Sequence, residues 1–166
     1  MTTAPDCLPL DSVRVDFLTH HVSILVGSCS AERVPSVARA YGCRVAADRR
    51  AVTVFLSLAQ SERVLQNLRA GGGVTAVFSR PSTHETLQLK GAEAQIAMLE
   101  DGDRELMRVY GRSFTDEIAA IGFEEPFASA IMSGAEDEAV AVTFVPNAAF
   151  EQTPGPAAGQ PLGARP

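Results

Sequence analysis

The sequence predicts a mainly β (α+β) domain, an antiparallel sheet or barrel of about six strands with short flanking helices. Three observations carry this expectation. Val22–Ser28 (VSILVGS), Val52–Leu58 (VTVFLSL) and Val74–Ser79 (VTAVFS) are β-branched, apolar runs of strand length. Residues 34–47 alternate, with Val37, Arg39, Tyr41 and Cys43 on one face and Ala38, Ala40, Gly42 and Arg44 on the other. The breaks between residues 22–28, 34–47 and 52–58 are turn-sized, which suits hairpins better than parallel βαβ units.

Taken in order, residues 10–21 place Val13, Phe17 and Leu18 on one helical face, with Asp11 or Ser12 available as N-cap. In residues 34–47, Gly42 suggests a bulge or bend. Asp48-Arg49-Arg50 is a charged turn, so residues 34–58 read as a hairpin. Residues 61–70 (SERVLQNLRA) carry Val64, Leu65 and Leu68 as a narrow apolar stripe, open at Ser61 and stop at Gly71-Gly72-Gly73. Residues 85–97 read as one long strand able to bend around a barrel corner. Residues 99–134 are helical in pattern, with breaks expected at Gly111, Gly122 and Pro126. Ala139–Val145 is the last expected strand, ended by Pro146. Residues 1–151 are taken as the single domain. Residues 152–166, rich in Pro, Gly and Ala, are expected to be disordered.

Composition narrows the function. With 46% hydrophobic and 20% charged residues the 166-residue chain can bury its own core. A net charge of -6 and a pI of about 5.0 repel phosphate polymers, so no nucleic-acid partner is expected. No apolar run approaches the ~20 residues of a membrane helix, and the N-terminal segment lacks a signal-peptide pattern. A cytoplasmic protein with three reduced thiols, Cys7, Cys29 and Cys43, is expected. His20-His21 has no Cys or acid at a ligating spacing, so no metal site is expected. The glycine triplet follows a helix and lacks a Lys-Ser/Thr pair, so it is not a phosphate-cradling P-loop.

Ser57, Ser61 and Arg63 are the first candidates for chemistry. Two hydroxyls, the amides at a helix start and a guanidinium together suit a phosphate. Taken locally, they read first as an ordinary cap and a solvated arginine. Arg39 could add a second anion contact, or simply face solvent. Thr86 and Gln88 share a strand face, and an amide that both donates and accepts suits the edge of a heteroaromatic ring; a polar outer face is the plainer reading. His84 beside Glu85 points to the opposite side of such a strand and reads as turn-exposed.

The segments VPSVARAY, VTVFLSLAQSERVLQNL and TLQLKG, in this order and spacing, resemble the pyridoxamine 5'-phosphate oxidase-like family of FMN-binding split β-barrels. The resemblance spans roughly Val22 to Ile96. It implies a phosphate-contacting arginine at Arg39, with Ala40 and Tyr41 beside it on the cofactor strand. It implies a hydroxyl contact at Ser57, a Ser-x-Arg phosphate grip at Ser61 and Arg63, and ring contacts from Thr86 and Gln88. It further implies FMN as cofactor, a small-molecule substrate and a homodimer with the flavin between protomers. Tyr110 and Phe114 are then candidates to line the far side. Glu85 and Thr86 stand where the oxidases carry Arg-Gln, and no Arg-x-His segment follows, so vitamin B6 oxidation is not the expected activity. A flavin-dependent oxidoreductase of unassigned substrate is the leading expectation. A non-catalytic flavin, deazaflavin or haem module, or a structural dimer with a degenerate site, stand beside it.

Overall fold

The computed structural model describes Leu8, residues 10–136 and residues 138–163. Cys7 and the last three residues of the tail lie outside the described residues. The chain runs α1 (Ser12–Thr19), β1 (Ser23–Cys29), β2 (Pro35–Val45), β3 (Val52–Ser57), α2 (Glu62–Arg69), β4 (Val74–Ser79), β5 (Thr86–Gly91) and β6 (Gln95–Met98). It continues through α3 (Asp103–Ala120), α4 (Glu125–Met132), a 3₁₀ turn (Ser133–Glu136), β7 (Ala139–Phe144) and β8 (Ala148–Glu151). All pairings are antiparallel, in the order β6-β7-β3-β2-β1-β4-β5-β8.

β3 divides two cores. All six of its residues are buried. Val52, Val54 and Leu56 join the main barrel core with Ile24, Val26, Phe78 and Leu89. Phe55 points the other way, into a smaller cluster with Tyr41, Met107, Ala139 and Ala141. The bulge expected at Gly42 is present: the β2–β3 register shifts between Ala40 and Cys43. Gly42 has φ +143° and a Cβ there would lie 3.0 Å from the Phe55 ring, so glycine is required twice over. The bulge turns Tyr41 out of the barrel and toward α3.

The sheet curls into a barrel where β5 ends. A Cβ on Gly91 would come within 2.9 Å of the Phe144 ring, and the Lys90 carbonyl accepts from Asn147 N at 2.9 Å. β5 therefore meets the β7–β8 connection edge to edge. Asp11, the better of the two expected caps, accepts from Arg14 N at 2.8 Å at the start of α1.

Four expectations change. Residues 85–97 form two strands, because after Gly91 the chain leaves β4 and β6 pairs with β7 instead. α3 runs through Gly111 unbroken, since Met107, Tyr110, Phe114 and Ile118 keep one buried stripe on both sides of it. One glycine weakens such a helix by only about 1 kcal/mol. The chain re-forms strand structure after Pro146 as β8, paired with β5. The described part of the tail is ordered: Gly159 N donates to the Glu151 carbonyl, and Leu162 N to that of Ala149, at 2.6 and 2.8 Å.

Candidate functional site

The residues singled out by sequence fall into three places. At the start of α2, Ser61 occupies the N-cap position but makes no capping hydrogen bond. Its Oγ is buried, with the residue 1% exposed, and has no partner. A buried hydroxyl without a partner forfeits about 1–3 kcal/mol of desolvation. Exposed Arg63 and Ser61 line a groove of about 340 Å³ with Ser36, Val37 and Gln60. Glu62 is also at this rim, its carboxylate accepting from Gln66 Nε2 at 3.1 Å along the helix. The uncapped helix start, the unpartnered hydroxyl and the guanidinium converge on one shallow opening. Such a helix start favours an anion.

Behind this rim the second group is closed. Ser57 is fully buried and accepts from Gln60 N at 3.3 Å. Tyr41 is 1% exposed and donates from its hydroxyl to Gln60 Oε1 at 2.7 Å. Gly134 of the 3₁₀ turn sits directly on the Tyr41 hydroxyl, where a Cβ would collide with it. Ala40 is fully buried, in the barrel core. The 3₁₀ turn thus roofs over Tyr41, one of the strand positions that the resemblance assigns to the cofactor.

Arg39 makes up a third arrangement with α3. Its Nη1 donates to Ser23 Oγ at 3.0 Å, and its guanidinium lies 5.6 Å over the Phe114 ring. Ile24 opposes Ala40, so Ser23 lies beyond Arg39 in the direction of Tyr41. The guanidinium therefore leans away from Val37 and the groove of Arg63. Tyr110 is buried beside Arg39, with its hydroxyl near the Ile24 backbone. Burial raises its pKa, against a lesser opposing pull from Arg39. Cys43, buried in the same region, is pushed up to about 12 by desolvation, so its thiol stays protonated.

Thr86 and Gln88 stand apart from all of these within the chain. The registers place Arg39, Leu25, Val77 and Gln88 in one row across the outer sheet face. Three strand spacings, about 14 Å, separate the two ends. Thr86 shares a 2.9 Å hydrogen bond with Ser79, and Gln88 accepts from Gln152 at 3.3 Å. The sequence reading missed Gln60, which bonds Tyr41 and approaches Ser57. Its position just ahead of Ser61 was the available signal.

An antiparallel sheet curled into a barrel, with α2 set between β3 and β4, is a split β-barrel. Solved structures carry the same architecture. The chain matches a candidate pyridoxamine 5'-phosphate oxidase from Lactobacillus delbrueckii with a TM-score of 0.53 and 13% identity, covering 86% of this chain and 93% of that one. It matches HupZ of Group A Streptococcus with a TM-score of 0.53 and 14% identity, covering 90% and 100%. No family model and no curated protein matches the sequence. The chain therefore has the split-barrel fold of the pyridoxamine 5'-phosphate oxidase-like proteins, as the resemblance implied, and the likeness at these identities is one of fold.

Proposed function

We propose that this protein binds FMN with its phosphate at the start of α2, and that it works as a homodimeric, cytoplasmic, flavin-dependent oxidoreductase on a small substrate. The observation that carries the reading is the buried, unpartnered Ser61 hydroxyl beside exposed Arg63 at an uncapped helix start. These residues fit the phosphate end of a flavin nucleotide, and the flavin would supply the redox chemistry when bound. Arg39, Thr86 and Gln88 share the outer sheet face, where Leu25 and Val37 are exposed at 40% and 65%. In the proposed homodimer a second protomer on this face would bring its own Gln88 toward Arg39, two residues that β1 and β4 keep apart within one chain.

The test is a titration of FMN followed by quenching of its fluorescence. Wild type should bind. Arg63→Ala should raise Kd about tenfold, the low end of a charge-assisted hydrogen bond because the side chain is exposed. No quenching by wild type, or the same Kd for Arg63→Ala, overturns the proposal.

A second reading, a non-catalytic module for flavin, deazaflavin or haem, is favoured by the closed roof over Tyr41 and Ser57. Flavin that binds but accepts no electrons from NADH or NADPH would decide for it.

A further inference from the structure

A cleft of about 460 Å³ runs between α3 and α4 and shares no residue with the groove at α2. One wall carries Arg104, Arg108 and Arg112, four residues apart and so on one face of α3. The other carries Glu125 of α4 and Glu136 of the 3₁₀ turn, with Asp116 at the far end of α3. The floor is apolar, built from buried Met107 and Ala128 and half-buried Met132.

Walls of opposite charge ordinarily close on one another, and these do not. Arg108 and Arg112 turn back to Glu105, at 3.1 and 3.4 Å, and hold its carboxyl below the usual range. Glu125 accepts from Ser129 Oγ, 3.0 Å from both of its oxygens. Among the described residues no ion pair joins Arg108 or Arg112 to Glu125 or Glu136. Arg104 closes one end through a 3.2 Å hydrogen bond to the Ala135 carbonyl.

Gly111 lies midway along this face of α3. A Cβ there would meet only the terminal carbon of Met132, at 3.4 Å, and its φ is not in the left-handed region. Helix geometry gives no reason for glycine, and glycine weakens the helix. What it leaves is room at the centre of the cleft.

We infer that the cleft binds a small zwitterion with an apolar body, of the class of apolar dipeptides. Its carboxylate would meet Arg108 and Arg112, its ammonium Glu125 and Glu136, and its side chains the methionine floor. The three carboxylates in the cleft work against a purely anionic amphiphile, and the three arginines against a purely cationic one. The volume lies in the range of small-molecule sites, and methionines adapt to varied apolar shapes. This inference does not rest on flavin binding.

The experiment is calorimetric titration of the full chain with leucylleucine, alongside its N-acetyl form, its C-terminal amide and octanoate. Leucylleucine should bind, and blocking either terminus should weaken binding about tenfold, the loss of one charged contact. Gly111→Ala should raise the melting temperature yet weaken binding, and the Arg108→Gln, Arg112→Gln double variant should bind at least as weakly. Octanoate binding as tightly as leucylleucine, no heat from leucylleucine at millimolar concentration, or unchanged affinity in both variants overturns the inference.

Discussion

The rim at α2 and the roofed strand positions behind it were one site in the sequence, and the fold gives them opposite fates. Ser61 and Ser57 are both buried serines, four residues apart. Ser57 meets Gln60, which is itself bonded to Tyr41 under Gly134. Ser61 meets nothing. The two arginines divide the same way: Arg39 is held by Ser23 and Phe114, while Arg63 stands exposed. Gln60 and Ser23 supply the hydrogen bonds of one region, and Phe114 and Gly134 cover it, while none of these reaches the Ser61 hydroxyl. The proposed anion site falls where the protein has left a polar group of its own unsatisfied.

Variants can break this contrast. The largest effect belongs to Phe114→Ala, which removes a ring only 3% exposed from between α3 and Arg39. It should lower stability by about 3–5 kcal/mol in chemical denaturation. A loss under 1 kcal/mol would mean the roof is not packed. Next comes Gly134→Ala, whose methyl collides with the Tyr41 hydroxyl. Its cost should be about 1–3 kcal/mol, partly restored by adding Tyr41→Phe. If the roof shields the cofactor face, the single variant should also bind FMN more tightly.

The helix caps give a sharper pair. Asp11→Ala breaks a real cap on α1 and should destabilise by about 1 kcal/mol. Ser61→Ala at the equivalent position of α2 should change stability by no more than about 0.5 kcal/mol, because no bond is lost. It should weaken FMN all the same. A stability loss equal to that of Asp11→Ala would show that Ser61 is merely a cap.

The smallest effect is on acid stability. Burial alone would raise Glu117, but hydrogen bonds from Ser82, with His21 and Arg80 nearby, bring it below its ordinary 4.5. A carboxyl depressed in the folded state stabilises above its unfolded pKa and loses that contribution as pH falls through the folded one. Glu117→Gln should therefore narrow the gap in melting temperature between pH 6 and pH 3. An unchanged gap would mean that the Ser82–His21 attachment of α3 carries no linkage.

Much of the fold was legible because it is local. β-branched runs made β1, β3 and β4 plain, and Gly42 marked the bulge. β8 was hidden because AAFE is short, alanine-rich and follows a proline; only its partner β5 makes it a strand. The continuity of α3 lies in a buried stripe that outweighs Gly111. Ser61 and Arg63 were visible through their spacing on a helix start. That Gly134 would close over Tyr41 could not be read, since neither residue signals the other along the chain. The separation of Gln88 from Arg39 is likewise a matter of strand order, fixed only once β1 and β4 are known to lie between them.

The returning tail has a consequence for how copies of this protein meet. β8 is the last strand of its sheet, and a bare edge offers a row of amides and carbonyls to any other chain. Here that row is already engaged by residues 159–162, and the outermost bridge is made by Pro161, which has no N–H to offer onward. The opposite margin, β6, is only four residues long. A chain truncated after Glu151 would keep every barrel strand and yet expose an unfinished β-ladder. The segment expected to be disordered is the one that covers the outer edge of β8.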